Sequence, residues 1–155
     1  MKPTEFLQSV DSLYKEVEKW CAAKGLKLTR HSLELNEEAY APYTTEKLSI
    51  LGGDTKKIAE LVPKGASIIG AKGRIDLIGN IDSAILVDWD RGGPSITTTI
   101  DDGASKHTKT VPVYRNVGEA GWYWVESRKL ARAHRLDEAL FFDLLSSVSD
   151  YEQNK

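Results

Sequence analysis

The feature that most constrains this chain is the shortness of the connections in its second half. The segments "RIDLIG" (74–79) and "SAILVDW" (83–89) are separated only by Asn80-Ile81-Asp82, and "DRGGP" leads directly into "SITTTID" (95–101). Asp102-Gly103 then supplies residues that tolerate the positive φ of a hairpin turn. The run 111–116 passes through "VGEA" to "GWYWVE" (121–126). Strands joined by so few residues must run antiparallel, because a parallel crossover takes a dozen or more. The expectation is an antiparallel meander of about five or six strands. Pro112 has no amide donor, so its strand is expected at an edge or a bulge.

Both ends of the chain have helical periodicity. Phe6, Val10, Leu13, Val17 and Trp20 recur at steps of four and three, between Thr4 as a cap and Gly25 as a stop. Leu140, Phe141, Leu144, Leu145 and Val148 form a second stripe behind Asp137, a natural N-cap. Each stripe must be buried, and the available surface is one side of the meander, which predicts an α+β fold. Leu26 and Leu28, then Leu33 and Leu35, alternate as on a half-buried strand. "NEEAYAPYTTE" reads as loop, "KLSIL" as a short strand, and 55–62 as either helix or strand. The predicted domain spans 1–150, with 151–155 as a flexible tail.

The 155 residues include 41% apolar side chains, enough for one core. A net charge of -2 argues against phosphate binding by the surface as a whole. Cys21 is the single cysteine, so an internal disulfide and a thiolate zinc cage are excluded. It lies beside the first stripe with no cation next to it, which predicts a buried, inert thiol. Charges interrupt the N-terminus too often for a signal peptide, and no run of about 20 apolar residues occurs. These features predict a cytoplasmic protein with no membrane partner.

Four groups are candidates for function. Gly70-Ala71-Lys72-Gly73, preceded by Ile68 and Ile69, resembles the Gly-x-x-Gly loop of the KH family, which implies a backbone clamp on nucleotides near Lys72. The flanking residues favour strand, so a tight turn is the simpler account of the glycines. Asp76, Asp82, Asp88 and Asp90 fall on neighbouring strands and turns, where metal-assisted hydrolysis would require them to converge. Turn chemistry and an Arg74–Asp76 pair are the simpler expectation. Trp122 and Trp124 share one face of their strand, either as core or as an exposed ladder that could stack on bases or sugars; the core reading leaves Tyr123, with Tyr114, for a partner surface on the opposite face. Arg128, Lys129, Arg132, His134 and Arg135 form the chain's one basic concentration. His31, His107 and His134 lack the spacing of a metal site, and no nucleophile, phosphate-loop or dinucleotide motif occurs.

The expectation is therefore a non-enzymatic binding protein, of the immunity, chaperone or adaptor type, with no cofactor. It would engage a protein partner through a sheet face or edge strand, using Tyr114, Tyr123, Arg128, Arg132, Arg135, Lys72 and Arg74. Nucleic-acid binding through the glycine loop and residues 128–135 is one alternative, and metal-assisted hydrolysis by the Asp group is another. An edge strand beside Pro112 would also permit a homodimer.

Overall fold

The structure, a computed structural model, describes residues 3–66 and 71–153. Helix α1 (Pro3–Ala22) begins one residue ahead of the expected Thr4 cap, because the fixed φ and missing amide of Pro3 suit the first helical position. It ends where Gly25 takes φ +73, which lets Leu26 N–H reach the Cys21 carbonyl at 3.0 Å and Gly25 N–H the Ala22 carbonyl at 3.2 Å. Helix α2 (Glu138–Val148) starts at Asp137, whose carboxylate accepts the Leu140 N–H at 2.8 Å.

Between the helices lie β1 (Lys27–Leu35), β2 (Tyr43–Leu51), β3 (Lys57–Gly65), β4 (Gly73–Gly79), β5 (Ser83–Trp89), β6 (Ser95–Asp101), β7 (Lys106–Pro112), β8 (Gly121–Ser127) and β9 (Arg132–Arg135). Seven of them form one antiparallel sheet in the order β1-β2-β3-β4-β5-β8-β9, while β6 and β7 pair only with each other. The α+β class and the terminal helices are as the sequence predicts. The strand count is larger, since residues 55–62 supply most of β3, "YTTE" belongs to β2, and β9 arises inside the basic segment.

One expectation about pairing is corrected. The meander is not continuous: β5 pairs with β8, matching Leu86 to Trp124 and Asp88 to Trp122, and β6–β7 leaves the sheet as a ribbon. The reason lies in what each strand has to bury. β8 brings Trp122 and Trp124 toward the helices, whereas β6 and β7 are dominated by threonine, lysine and other polar residues.

The main core sits between the two helices and one face of the sheet. Phe6, Val10, Leu13 and Val17 of α1 and Phe141, Leu144 and Leu145 of α2 close over Leu48, Ile50, Leu61, Ile75, Leu77 and Leu86. Tyr14 is also fully buried, and its hydroxyl donates to the Glu46 carbonyl at 2.7 Å, so α1 is tied to β2 by a polar bond inside the core. Arg30 on β1 adds an ionic tie, reaching Asp11 at 2.8 Å and Glu18 at 2.5 Å on α1. Of the expected tail, Tyr151 packs on Phe142 with ring centroids 6.2 Å apart, and Gln153 donates to Asp143 at 2.8 Å. Residues 154–155 lie outside the described part.

The β4–β5 turn depends on a close approach. Ile81 and Asp82 N–H groups both donate to the Val148 carbonyl, at 3.0 and 3.2 Å, and a side chain at Gly79 would overlap that carbonyl. Gly79→Ala is therefore expected to lower unfolding free energy by roughly 1–3 kcal/mol in urea titrations, the usual range for overpacking. Cys21 is completely buried, and desolvation pushes its thiol up to about 12. Iodoacetamide at pH 8 should label it more than about a thousandfold slower in the folded than in the urea-unfolded chain, because only the thiolate reacts. Since the folded value is raised, this group's stabilisation is present below the unfolded value near 9 and declines as pH climbs toward 12.

Candidate functional site

The residues singled out from sequence are spread over several parts of the fold. Arg74, Tyr123 and Arg135 share one cross-sheet row on the face away from the helices, because Arg74 pairs with Val87, Val87 with Tyr123 and Tyr123 with Arg135. That face is not open. Residues after β7 fold down on it, and Val87, Trp89, Tyr114, Val117, Tyr123 and Ala133 form a second core. Trp89 lies 4.8 Å from the Tyr114 ring and 5.5 Å from the Tyr123 ring, centroid to centroid. The Tyr123 hydroxyl donates to the Glu119 carbonyl at 2.7 Å and accepts from Gly118 N–H at 3.2 Å. Tyr114 and Tyr123, expected on a partner surface, are thus only 7% and 2% exposed and hold a loop in place.

The basic segment is dispersed by its own geometry. His134 and Arg132 both turn to Glu126, at 2.9 and 3.5 Å, and hold that carboxyl below its usual range. Arg135 lies over the Tyr123 ring at 5.7 Å, and Arg128 is exposed in the β8–β9 turn. The four aspartates have separate partners, although Asp88 and Asp90 border the same cleft. Asp76 takes a two-point contact from Arg74 at 2.7 and 3.1 Å, Asp82 accepts the Ser83 N–H, Asp88 faces α1, and Asp90 meets Lys72 at 3.4 Å. Among the described residues, no three His, Cys, Asp or Glu side chains group as metal ligands.

Of the glycine loop, Gly70 and the preceding Ser67, Ile68 and Ile69 lie outside the described residues. Gly73 is the first residue of β4, and the Phe6 ring occupies the space where its side chain would be. Lys72 N–H donates to the Asp88 carbonyl at 2.7 Å, so the second half of the motif is joined to the sheet. Packing of α1 accounts for this glycine.

What stands free is the β6–β7 ribbon. Every residue of both strands is exposed. Its tip is fixed by Asp102, whose carboxylate accepts the N–H groups of Ala104 and Ser105 at 3.0 and 2.8 Å, while Gly103 supplies φ +86. Directly paired residues share a face of an antiparallel ladder. One face therefore carries Ile96 with Val111, Thr98 with Lys109, and Ile100 with His107. The other carries Thr97 with Thr110, Thr99 with Thr108, and Asp101 with Lys106, and the Thr97 and Thr110 hydroxyls lie 3.1 Å apart. Among the described residues five large hydrophobics are exposed, and three of them, Ile96, Ile100 and Val111, lie on the first face. Sequence reasoning treated these as strand residues of a covered sheet. The available signal was the run of threonines with too few apolar residues to cover a helix.

At the root of the ribbon is an open cleft of about 930 Å³, between the start of α1 and the ends of β4 and β5, bordered by Glu5, Lys72, Asp90 and Ser95. Its inner wall holds Asp88, 3% exposed, which accepts a hydrogen bond from Ser9 Oγ. The bond ties α1 to the strand from which the ribbon leaves. Ser9→Ala removes the donor from a buried carboxylate and is expected to destabilise the fold by about 1–3 kcal/mol. In a double-mutant cycle read by chemical denaturation, Asp88→Asn should recover part of that loss; full additivity would show that the two side chains do not interact. No family model, curated protein or solved structure matches this chain.

Proposed function

We propose that this chain is a non-enzymatic protein-binding module of the cytoplasm, and that its contact element is the β6–β7 ribbon. The observation that carries this reading is the ribbon's complete exposure together with three large hydrophobic side chains on one of its faces. An isolated two-stranded ribbon is marginal in water, and exposed isoleucines on it add nothing to folding. No residue of 95–112 belongs to either core. A segment of this kind is explained by a surface that covers it in a complex, by packing on its face or by pairing at its edges. Pro112 and the lysines of β7 limit edge pairing, which favours contact through a face.

The fully buried Cys21 suits a reducing compartment, where thiols are kept free. No helix among the described residues is long and apolar enough to cross a membrane. Immunity factors, chaperones and adaptors all act by such one-to-one contacts, and the choice among them rests with the partner.

The test uses a chain from which the ribbon has been removed. Val113 N–H donates to the Pro94 carbonyl at 2.9 Å, so a short Asn-Gly turn can join the two stems in place of residues 95–112. The shortened chain should melt within a few degrees of the full chain. Proteins retained from an extract by the full chain, after nuclease treatment and at moderate salt, should be lost by the shortened one. Equal retention by both chains would move the contact elsewhere. Retention of nucleic acid that salt abolishes would instead support binding through exposed basic residues such as Arg128.

A further inference from the structure

Resting on that reading, we infer that the ribbon binds through its Ile96–Ile100–Val111 face and that the partner is an acidic, amphipathic helical segment. The two faces of the ribbon differ in charge as well as in polarity. Among the paired residues of the apolar face the charged or titratable side chains are Lys109 and His107; His107 Nε2 lies 3.0 Å from Ser105 Oγ, which also contacts the Asp102 carboxylate at 3.3 Å, leaving Lys109 as the charge at the middle of the face. On the opposite face Asp101 stands across from Lys106, and the threonines are neutral. Asp102 is at the tip, engaged by its own turn. The apolar face is therefore basic on a chain whose net charge is -2.

The spacing completes the match. Ile96 and Ile100 are four residues apart on a strand, or about 13 Å, with Thr98 and Lys109 between them. A helix laid along the ribbon places side chains seven or eight residues apart about 10–12 Å from each other. Two apolar residues at that interval would cover the Ile96–Val111 pair and Ile100, and a carboxylate halfway between them would meet Lys109. Electrostatic complementarity of this sort governs partner choice and the rate of encounter. A second copy of this chain is a poorer occupant, because the paired residues of its own apolar face would bring no carboxylate to Lys109.

The probe is a synthetic helical peptide with leucine along one stripe and glutamate beside it, compared with the same peptide carrying lysine for glutamate. Binding to the full chain is followed by fluorescence anisotropy. The glutamate peptide should bind, and the lysine peptide should bind at least tenfold more weakly. Ile100→Ser and Lys109→Glu should each weaken the glutamate peptide by tenfold or more, and Lys109→Glu should improve the lysine peptide. Thr99→Ser and Thr108→Ser, on the other face, should leave both affinities unchanged. All four positions are exposed, so unchanged melting temperatures serve as the folding control.

Absence of binding by the glutamate peptide, or binding indifferent to Ile100→Ser and Lys109→Glu, overturns the inference. If extract proteins are still lost with the ribbon in that case, the protein-binding reading survives and the partner's chemistry is of another kind. Self-association of the full chain in sedimentation that Ile100→Ser abolishes would likewise replace the acidic segment with a second copy.

Discussion

The pairing of β5 with β8 is the constraint on which the rest of the structure depends. By matching Leu86 to Trp124 and Asp88 to Trp122, it carries the sheet past a long insertion and brings two tryptophans to the side that the helices cover. The same register puts Tyr123 opposite Val87 on the other side, where Trp89 and Tyr114 join it. One ladder therefore builds both cores. It also leaves β6 and β7 with no neighbour but each other.

The two faces of the sheet are closed by different means. On one, α1 and α2 supply apolar stripes, and a few polar ties add direction to a force that has none of its own. Tyr14 reaches the backbone of β2, Arg30 holds Asp11 and Glu18, and Ser9 meets the buried Asp88. On the other face no helix lies among the described residues, and an irregular segment does the covering. Its Tyr114 and Val117 fill the space over Val87 and Trp89, and Asn116 Nδ2 donates to the Ala133 carbonyl. Aromatic rings suit this role because each buries a large area at few rotatable bonds.

With both faces covered near the centre of the sheet, the contact surface proposed for this chain lies outside the body. A ribbon whose register is set by a well-bonded tip and a direct stem can project without drawing on either core. Its two faces are written in alternate residues of the same strands, so one substitution alters one face and leaves the other untouched. Such separation makes the proposed contact surface independent of the folding core, and the two can vary without interfering.

The helices were legible in the sequence, as were their caps at Gly25 and Asp137, because periodicity and capping act over a few residues. Antiparallel strands were legible for the same reason: short connections restrict direction locally. Burial of Cys21 followed from pattern alone, whereas the pattern left open the burial of the tryptophans, of which Trp122 is buried and Trp124 partly so. The sequence did not reveal which strands would be neighbours, since "SAILVDW" is as close to "SITTTID" along the chain as a hairpin needs. Only the competition for the helix-covered face decided that β8, with its tryptophans, would take the place beside β5. That decision buried Tyr114 and Tyr123, divided the aspartates among separate partners, and exposed Ile96, Ile100 and Val111. Alternation assigns side chains to opposite faces of a strand, but which face meets solvent is settled by what else in the fold has apolar surface to hide.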